Sequence, residues 1–139
     1  MPQDEIIEQL VKDVEELKRE NKRLQNLVPL YKILNDNTPA QITADQNNYA
    51  LGDYDLLRLS SNTTWTITGL AGGVRGRRVT LYNVGTQIIN MAHESASSSA
   101  ANRMILGNAI THPMNPRDNI TFYYDSVSLR WREIAELNE

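Results

Sequence analysis

Ile7, Val14, Asn21 and Val28 recur every seven residues, with Leu10, Leu17 and Leu24 set between them, so that large side chains alternate at spacings of four and three. That spacing is the seam of a supercoiled helix and predicts an N-terminal parallel α-helical coiled coil over residues 1–28, about 25 residues and roughly 40 Å long. A lone helix of this length is marginal in water, so the same seam predicts an oligomer. Pro2 suits a first helical turn, Asp4 and Glu5 suit its positive end, and Pro29 disfavours helix at Val28 and removes a backbone donor. Asn21 departs from the apolar series. A buried amide costs stability, and its best use is to bring identical side chains together in a parallel, in-register bundle. Valine and isoleucine at one seam position with leucine at the other, plus Asn21, favour two strands, whereas Ile6, Val11 and Leu27 on the flanks widen the seam toward three.

Residues 29–38 read as a neck: Leu30 to Leu34 is apolar on several sides and runs into the turn-rich NDNTP. From residue 39 to 139 the apolar period changes to two. Trp65 and Ile67 alternate with threonines, Val79 and Leu81 with Thr80 and Tyr82, and Ile120, Phe122 and Tyr124 with Thr121 and Tyr123. Weaker strand signals lie at Ala40–Thr43, Asp55–Ser60, Gln87–Glu94, Arg103–Leu106 and Ser128–Ile134. About eight short strands without helical periods between them predict an antiparallel β-sandwich, jelly-roll-like. Gly69, Gly72, Gly73 and Gly76 in GLAGGVRG read as a tight reversal between Ile67 and Val79, Gly85 in NVG as another, and YYDSVSLRW as a closing hairpin with Trp131 and Leu129 buried.

Composition narrows the function. The 139 residues carry a formal charge of −3 and no cysteine, which removes disulfides, thiolate nucleophiles and cysteine metal sites. No apolar run approaches the roughly 20 residues that span a bilayer, and the acidic, amphipathic start is unlike a signal peptide, so neither membrane insertion nor Sec export is expected. His93, Glu94 and Ser95 are neighbours, but no G-x-S-x-G elbow accompanies them, and the glycine-rich GLAGGVRG lacks the lysine of a phosphate loop. No catalytic residue, no cofactor and no metal site is therefore expected, His93 and His112 reading as surface or interface residues.

The order PAQIT, ITGLAGG, NVG, ESASSSAANR and the closing YDSVSLRWR, from Thr38 to Ile134, resembles a small β domain of tailed-bacteriophage appendages. The resemblance implies a non-enzymatic virion structural protein, a homotrimer with a stalk, and it tips the strand number toward three with a dimer as runner-up. On this reading the protein is made in the bacterial cytoplasm and exposed on the particle as a short head fibre or capsid decoration, with a phage capsid or tail protein as its anchor. A tail-fibre module recognising host surface glycan and a capsid cement protein are the alternatives.

Two sets of residues carry these expectations. Ile7, Leu10, Val14, Leu17, Asn21, Leu24 and Val28 form the oligomerisation seam. Tyr82, Tyr123, Arg75 and Arg77 are candidate surface-binding residues, with Tyr49 beside them: tyrosines stack on sugar rings, although Tyr82 and Tyr123 also read as cross-strand packing partners. Arg75, Arg77 and Arg78, with Arg103 elsewhere in the chain, make a local basic cluster, yet the acidic balance of the chain argues against nucleic acid as a partner.

Overall fold

A computed structural model describes residues 2–27 and 35–137, and the chain divides into two compact units, Met1–Ile33 and Leu34–Glu139. The expected neck at Leu30–Leu34, and the seam residue Val28, lie outside the described residues.

The first unit is helix α1, Gln3–Leu27. Pro2 supplies its first acceptor, taking the Glu5 and Ile6 amides, and Asp4 and Glu5 occupy the positive end. Gln9 Nε2 donates to Asp13 at 3.0 Å and Arg23 Nη2 to Glu20 at 2.6 Å along the polar faces. Among the described residues α1 is one helix with no helical partner, so the predicted coiled coil is corrected to a single amphipathic helix. Heptad spacing fixes which face of a helix is apolar, but it does not by itself supply the second strand.

The second unit is mostly β, and it is not the predicted antiparallel, jelly-roll-like sandwich. Its eleven strands among the described residues are β1 (Asp36–Asn37), β2 (Tyr49–Ala50), β3 (Leu56–Leu59), β4 (Trp65–Ile67), β5 (Leu70–Ala71), β6 (Arg78–Asn83), β7 (Ile89–Met91), β8 (Met104–Ile105), β9 (His112–Met114), β10 (Asn119–Asp125) and β11 (Arg130–Leu137). The first seven pair in parallel, in a solenoid-like progression. Asp36 pairs with Leu56, Ile42 bridges Ser61, Gln46 bridges Ile67 and Tyr49 pairs with Leu70, so each partner lies 19 to 21 residues further along the chain. Leu56 then pairs with Thr80 and Trp65 with Ile89, 24 residues on. The chain winds nearly three times past the same three faces.

Winding stacks like on like in the interior. Leu57 lies beside Leu81, and Ile67 beside Met91, all at or near zero exposure. Asn83 takes the place in the third winding that Leu59 holds in the second, and being fully buried it needs partners. It finds three: Nδ2 donates to Gln87 O (2.7 Å) and Met114 O (2.9 Å), and Oδ1 accepts from Gly85 N (3.0 Å). NVG is thus a corner tied by an asparagine, and not a reversal between paired strands.

A solenoid end exposes unpaired backbone unless something covers it. Antiparallel strands do so here: β9 pairs with β7, and β10 pairs with β6, placing Phe122 opposite Val79 and Ile120 opposite Leu81. Strands β10 and β11 form the predicted closing hairpin, with an irregularity between Thr121 and Phe122. Trp131 sits at the centre of the core, fully buried, its Nε1 donating to Leu70 O at 2.8 Å and its ring meeting Tyr124 edge-on at 5.2 Å. Leu129, expected to bury beside it, has φ 53° and is exposed, because the hairpin turn takes it out of the strand alternation.

GLAGGVRG is likewise no hairpin: β4 and β6 lie in different sheets, and β5 occupies part of it. Gly72 and Gly76 hold positive φ there, and a Cβ on Gly73 would enter the Tyr124 ring. The ESASSSAAN segment docks on the first and second windings. Ser98 Oγ lies 2.8 Å from Thr68 Oγ1 and accepts from Asn48 N at 2.9 Å, while Asn48 Oδ1 accepts from Ser99 N and Asn102 Nδ2. A Cβ on Gly69 would lie 2.5 Å from Ser98 Oγ, which explains a glycine at that contact.

Candidate functional site

Two surfaces stand out, one on each unit. On α1, Ile6, Ile7, Leu10, Val11, Val14, Leu17 and Leu24 are all between 44 and 68% exposed. Ile7, Leu10, Val11 and Val14, with Glu15, line a shallow apolar groove. Six of the seven residues assigned to the oligomerisation seam are described, and all six, Asn21 included, lie on exposed helix.

On the second unit the six-stranded sheet, ordered β1-β3-β6-β10-β11-β8, turns one face to the core and the other outward. Alternation decides which side chains go where. In β6 Val79, Leu81 and Asn83 are buried, leaving Arg78, Thr80 and Tyr82 outside; in β10 Ile120, Phe122 and Tyr124 are buried, leaving Asn119, Thr121, Tyr123 and Asp125. Register then assembles rows across strands. Arg58, Tyr82 and Asn119 form one row, Leu56, Thr80 and Thr121 the next, and Arg78, Tyr123 and Arg132 the third. The outer rows are about 13 Å apart at roughly 3.3 Å per residue. Thr80 Oγ1 and Thr121 Oγ1 are hydrogen-bonded at 2.8 Å between them.

The predicted binding residues separate on this frame. Tyr82 and Tyr123 are brought to one face on neighbouring strands, but they are not opposite each other: Tyr82 faces Asn119 and Tyr123 faces Arg78. Arg77 is not available. Its guanidinium donates to Gly72 O (2.8 Å), Gly52 O (2.5 Å) and Tyr54 O (3.1 Å), clamping two turns together. Arg75 is exposed at the tip of the 72–77 turn. Tyr49 belongs to β2, is half-buried against the core, and burial pushes its hydroxyl pKa up. Arg103 donates to Ser98 O at 3.1 Å.

Arg58 was not singled out by sequence reasoning, and Arg78 was named only as part of the basic cluster; the fold sets them beside Tyr82 and Tyr123 respectively. Both arginines are exposed, and among the described residues neither has a carboxylate partner. The signal for Arg58 was its position between the inward Leu57 and Leu59, but its neighbour Tyr82 is set by a parallel pairing the sequence does not announce. The other arginines of this face are engaged: Arg132 Nε with Asp125 Oδ2 at 2.9 Å, and Arg130 Nε with Glu94 Oε1 at 2.6 Å. Hydrogen bonds from Ser128 and the Val127 amide, with Arg132 beside it, hold the Asp125 carboxyl below the usual range.

The residues that suggested hydrolysis have structural partners. His93 Nδ1 accepts from Leu106 N at 3.1 Å, Glu94 holds Arg130, and Ser95 Oγ accepts from Ser97 N at 3.3 Å. At the far end of β11, His112 Nε2 lies 3.6 Å from Glu136 Oε2, and Glu133 accepts from Gly107 N at 3.1 Å. Burial, and then the neighbouring Glu136, push the Glu133 carboxyl up. Among the described residues no three side chains are grouped as metal ligands. No family model matches the chain, and comparison with curated proteins and with solved structures finds no relative of either kind.

Proposed function

We propose that the protein is a non-enzymatic structural component of a tailed-phage particle, a parallel homotrimer assembled through α1 that displays its β unit on the virion surface as a short head fibre. The observation that carries this reading is the exposed apolar stripe of α1. Seven large apolar side chains on one short helix exceed what a solitary helix leaves in water, and copies of the same stripe would cover them. Three identical β units on one stem act by multivalency: each contact is weak, and simultaneous engagement makes the whole tight. The resemblance of PAQIT, ITGLAGG and YDSVSLRWR to phage appendage domains supplies the setting, with a capsid or tail protein as anchor.

Quantitative mass analysis of purified particles tests the setting. A copy number scaling with capsid symmetry supports a head fibre; three or six copies per particle moves the protein to the tail, and absence from particles contradicts the reading. A second reading, recognition of host surface glycan by the β unit, is favoured by the common face of Tyr82 and Tyr123.

A further inference from the structure

We propose that the outward face of the six-stranded sheet binds an acidic polysaccharide, with Tyr82 and Tyr123 as stacking platforms and Arg58 and Arg78 as its anion contacts. The inference rests on the glycan reading above and assigns it a surface and a ligand charge.

Three observations carry it. Each tyrosine sits beside an arginine that has no carboxylate partner among the described residues, Tyr82 next to Arg58 and Tyr123 next to Arg78 in the adjoining strand, so the same platform-plus-cation pair occurs twice on one face. The two rows are separated by about 13 Å, so an extended chain, and not one compact molecule, engages both. Between them, beside Leu56, lie the hydroxyls of Thr80 and Thr121, and Asn119 extends the Tyr82 row; all three offer donors and acceptors suited to sugar hydroxyls.

Other occupants fit less well. Protein interfaces centre on a desolvated apolar core, whereas the centre of this face is a hydrogen-bonded threonine pair. Double-stranded nucleic acid carries a charge every ~1.7 Å, far denser than two guanidinium groups, and the chain as a whole is acidic at −3. A polysaccharide with one carboxylate per sugar is charged less densely than a duplex and still offers carboxylates to both arginine rows. The charge also explains selectivity, since guanidinium groups pair with carboxylates in a bidentate fork that a neutral sugar does not offer.

Affinity electrophoresis of the full chain in gels cast with polygalacturonate, with fully methyl-esterified polygalacturonate, or with single-stranded poly(dT) tests the assignment. Retardation by polygalacturonate is expected to exceed that by the ester, and to fall about tenfold in Arg58→Gln and in Arg78→Gln, as loss of a charged hydrogen bond implies. Arg78→Lys should recover part of it, and Tyr82→Ala and Tyr123→Ala should weaken binding to both polymers. Equal retardation by polygalacturonate and its ester, lost in the tyrosine variants, would overturn the acidic-ligand assignment while leaving the glycan reading standing. No retardation by either polymer contradicts both. Equal or stronger retardation by poly(dT) overturns the proposal in favour of undifferentiated polyanion binding.

Discussion

The two units of this chain solve the same problem in opposite ways. In the β unit, Leu59, Ile67, Leu81, Met91, Phe122 and Trp131 are at zero exposure, and the polar groups buried with them at the Asn83 corner and the Ser98–Thr68 contact are hydrogen-bonded. In α1 every described large apolar side chain is exposed. One region thus completes its core within a single chain, and the other leaves its apolar stripe uncovered, which on the proposed reading is covered by copies of itself. A change in the β core should therefore lower stability at any protein concentration, whereas a change in the α1 stripe should show itself through concentration.

The sharpest break in the comparison is expected at Trp131. Trp131→Ala empties the centre of the core and leaves Leu70 O without its donor, so unfolding of the β unit should cost about 3–5 kcal/mol less. Urea denaturation followed through Trp65, the remaining tryptophan, reads this directly. A loss under about 1 kcal/mol would mean that the core does not centre there.

Gly73→Ala comes next. The added methyl enters the Tyr124 ring, which is held by its hydroxyl to Ala101 O at 3.0 Å and by its edge contact with Trp131, so about 1–3 kcal/mol should be lost to overpacking. The same urea experiment should show an unchanged oligomer. Asn21→Ile acts on the other unit: it removes an amide from the stripe and should stabilise the assembly by about 1–2 kcal/mol while allowing more than one stoichiometry. A uniform oligomer in that variant would remove the role of Asn21 in alignment.

The smallest effects lie at the two ends of the closing hairpin, and they have opposite sign. Asp125 has its pKa lowered by folding, so its contribution is present above the ordinary carboxylate range and lost as pH falls through its lowered folded value. Glu133 has its pKa raised by burial, so its ionisation works against the fold, and stability from this site increases as pH falls through its raised value. Glu133→Gln should accordingly give a small rise in Tm at pH 7 that shrinks on acidification, and Asp125→Asn a small fall at pH 7. A pH-independent difference for either variant would show that charge is not the cause.

The sequence carried much of the local structure and little of the pairing. Heptad spacing found the amphipathic helix described over Gln3–Leu27, since periodicity is a property of one segment. Period-two alternation likewise found β6 and β10 and sorted their inward and outward side chains correctly. It was silent on partners. A parallel neighbour 24 residues away shares with its mate only the direction of the side chain, as Leu59 and Asn83 or Trp65 and Ile89 show, so no repeat is visible in the residues. Glycine-rich corners of a winding chain also use the same residues as hairpin turns, which is why GLAGGVRG and NVG misled. Tyr82 and Tyr123 were legible as candidates because alternation puts them outside, whereas Arg77 was misassigned because three carbonyls from distant turns converge on it only in the fold.

The contrast between a self-contained β unit and a helix proposed to assemble with copies of itself is tested most directly by sedimentation equilibrium of the full chain beside its Leu10→Asp, Leu17→Asp variant. The wild-type chain should sediment at three times 15.8 kDa at micromolar concentration, and the variant at 15.8 kDa with the urea midpoint of its β unit unchanged. A wild-type monomer at that concentration, or a trimer that survives both aspartates, would contradict the assignment of α1 as the assembling element.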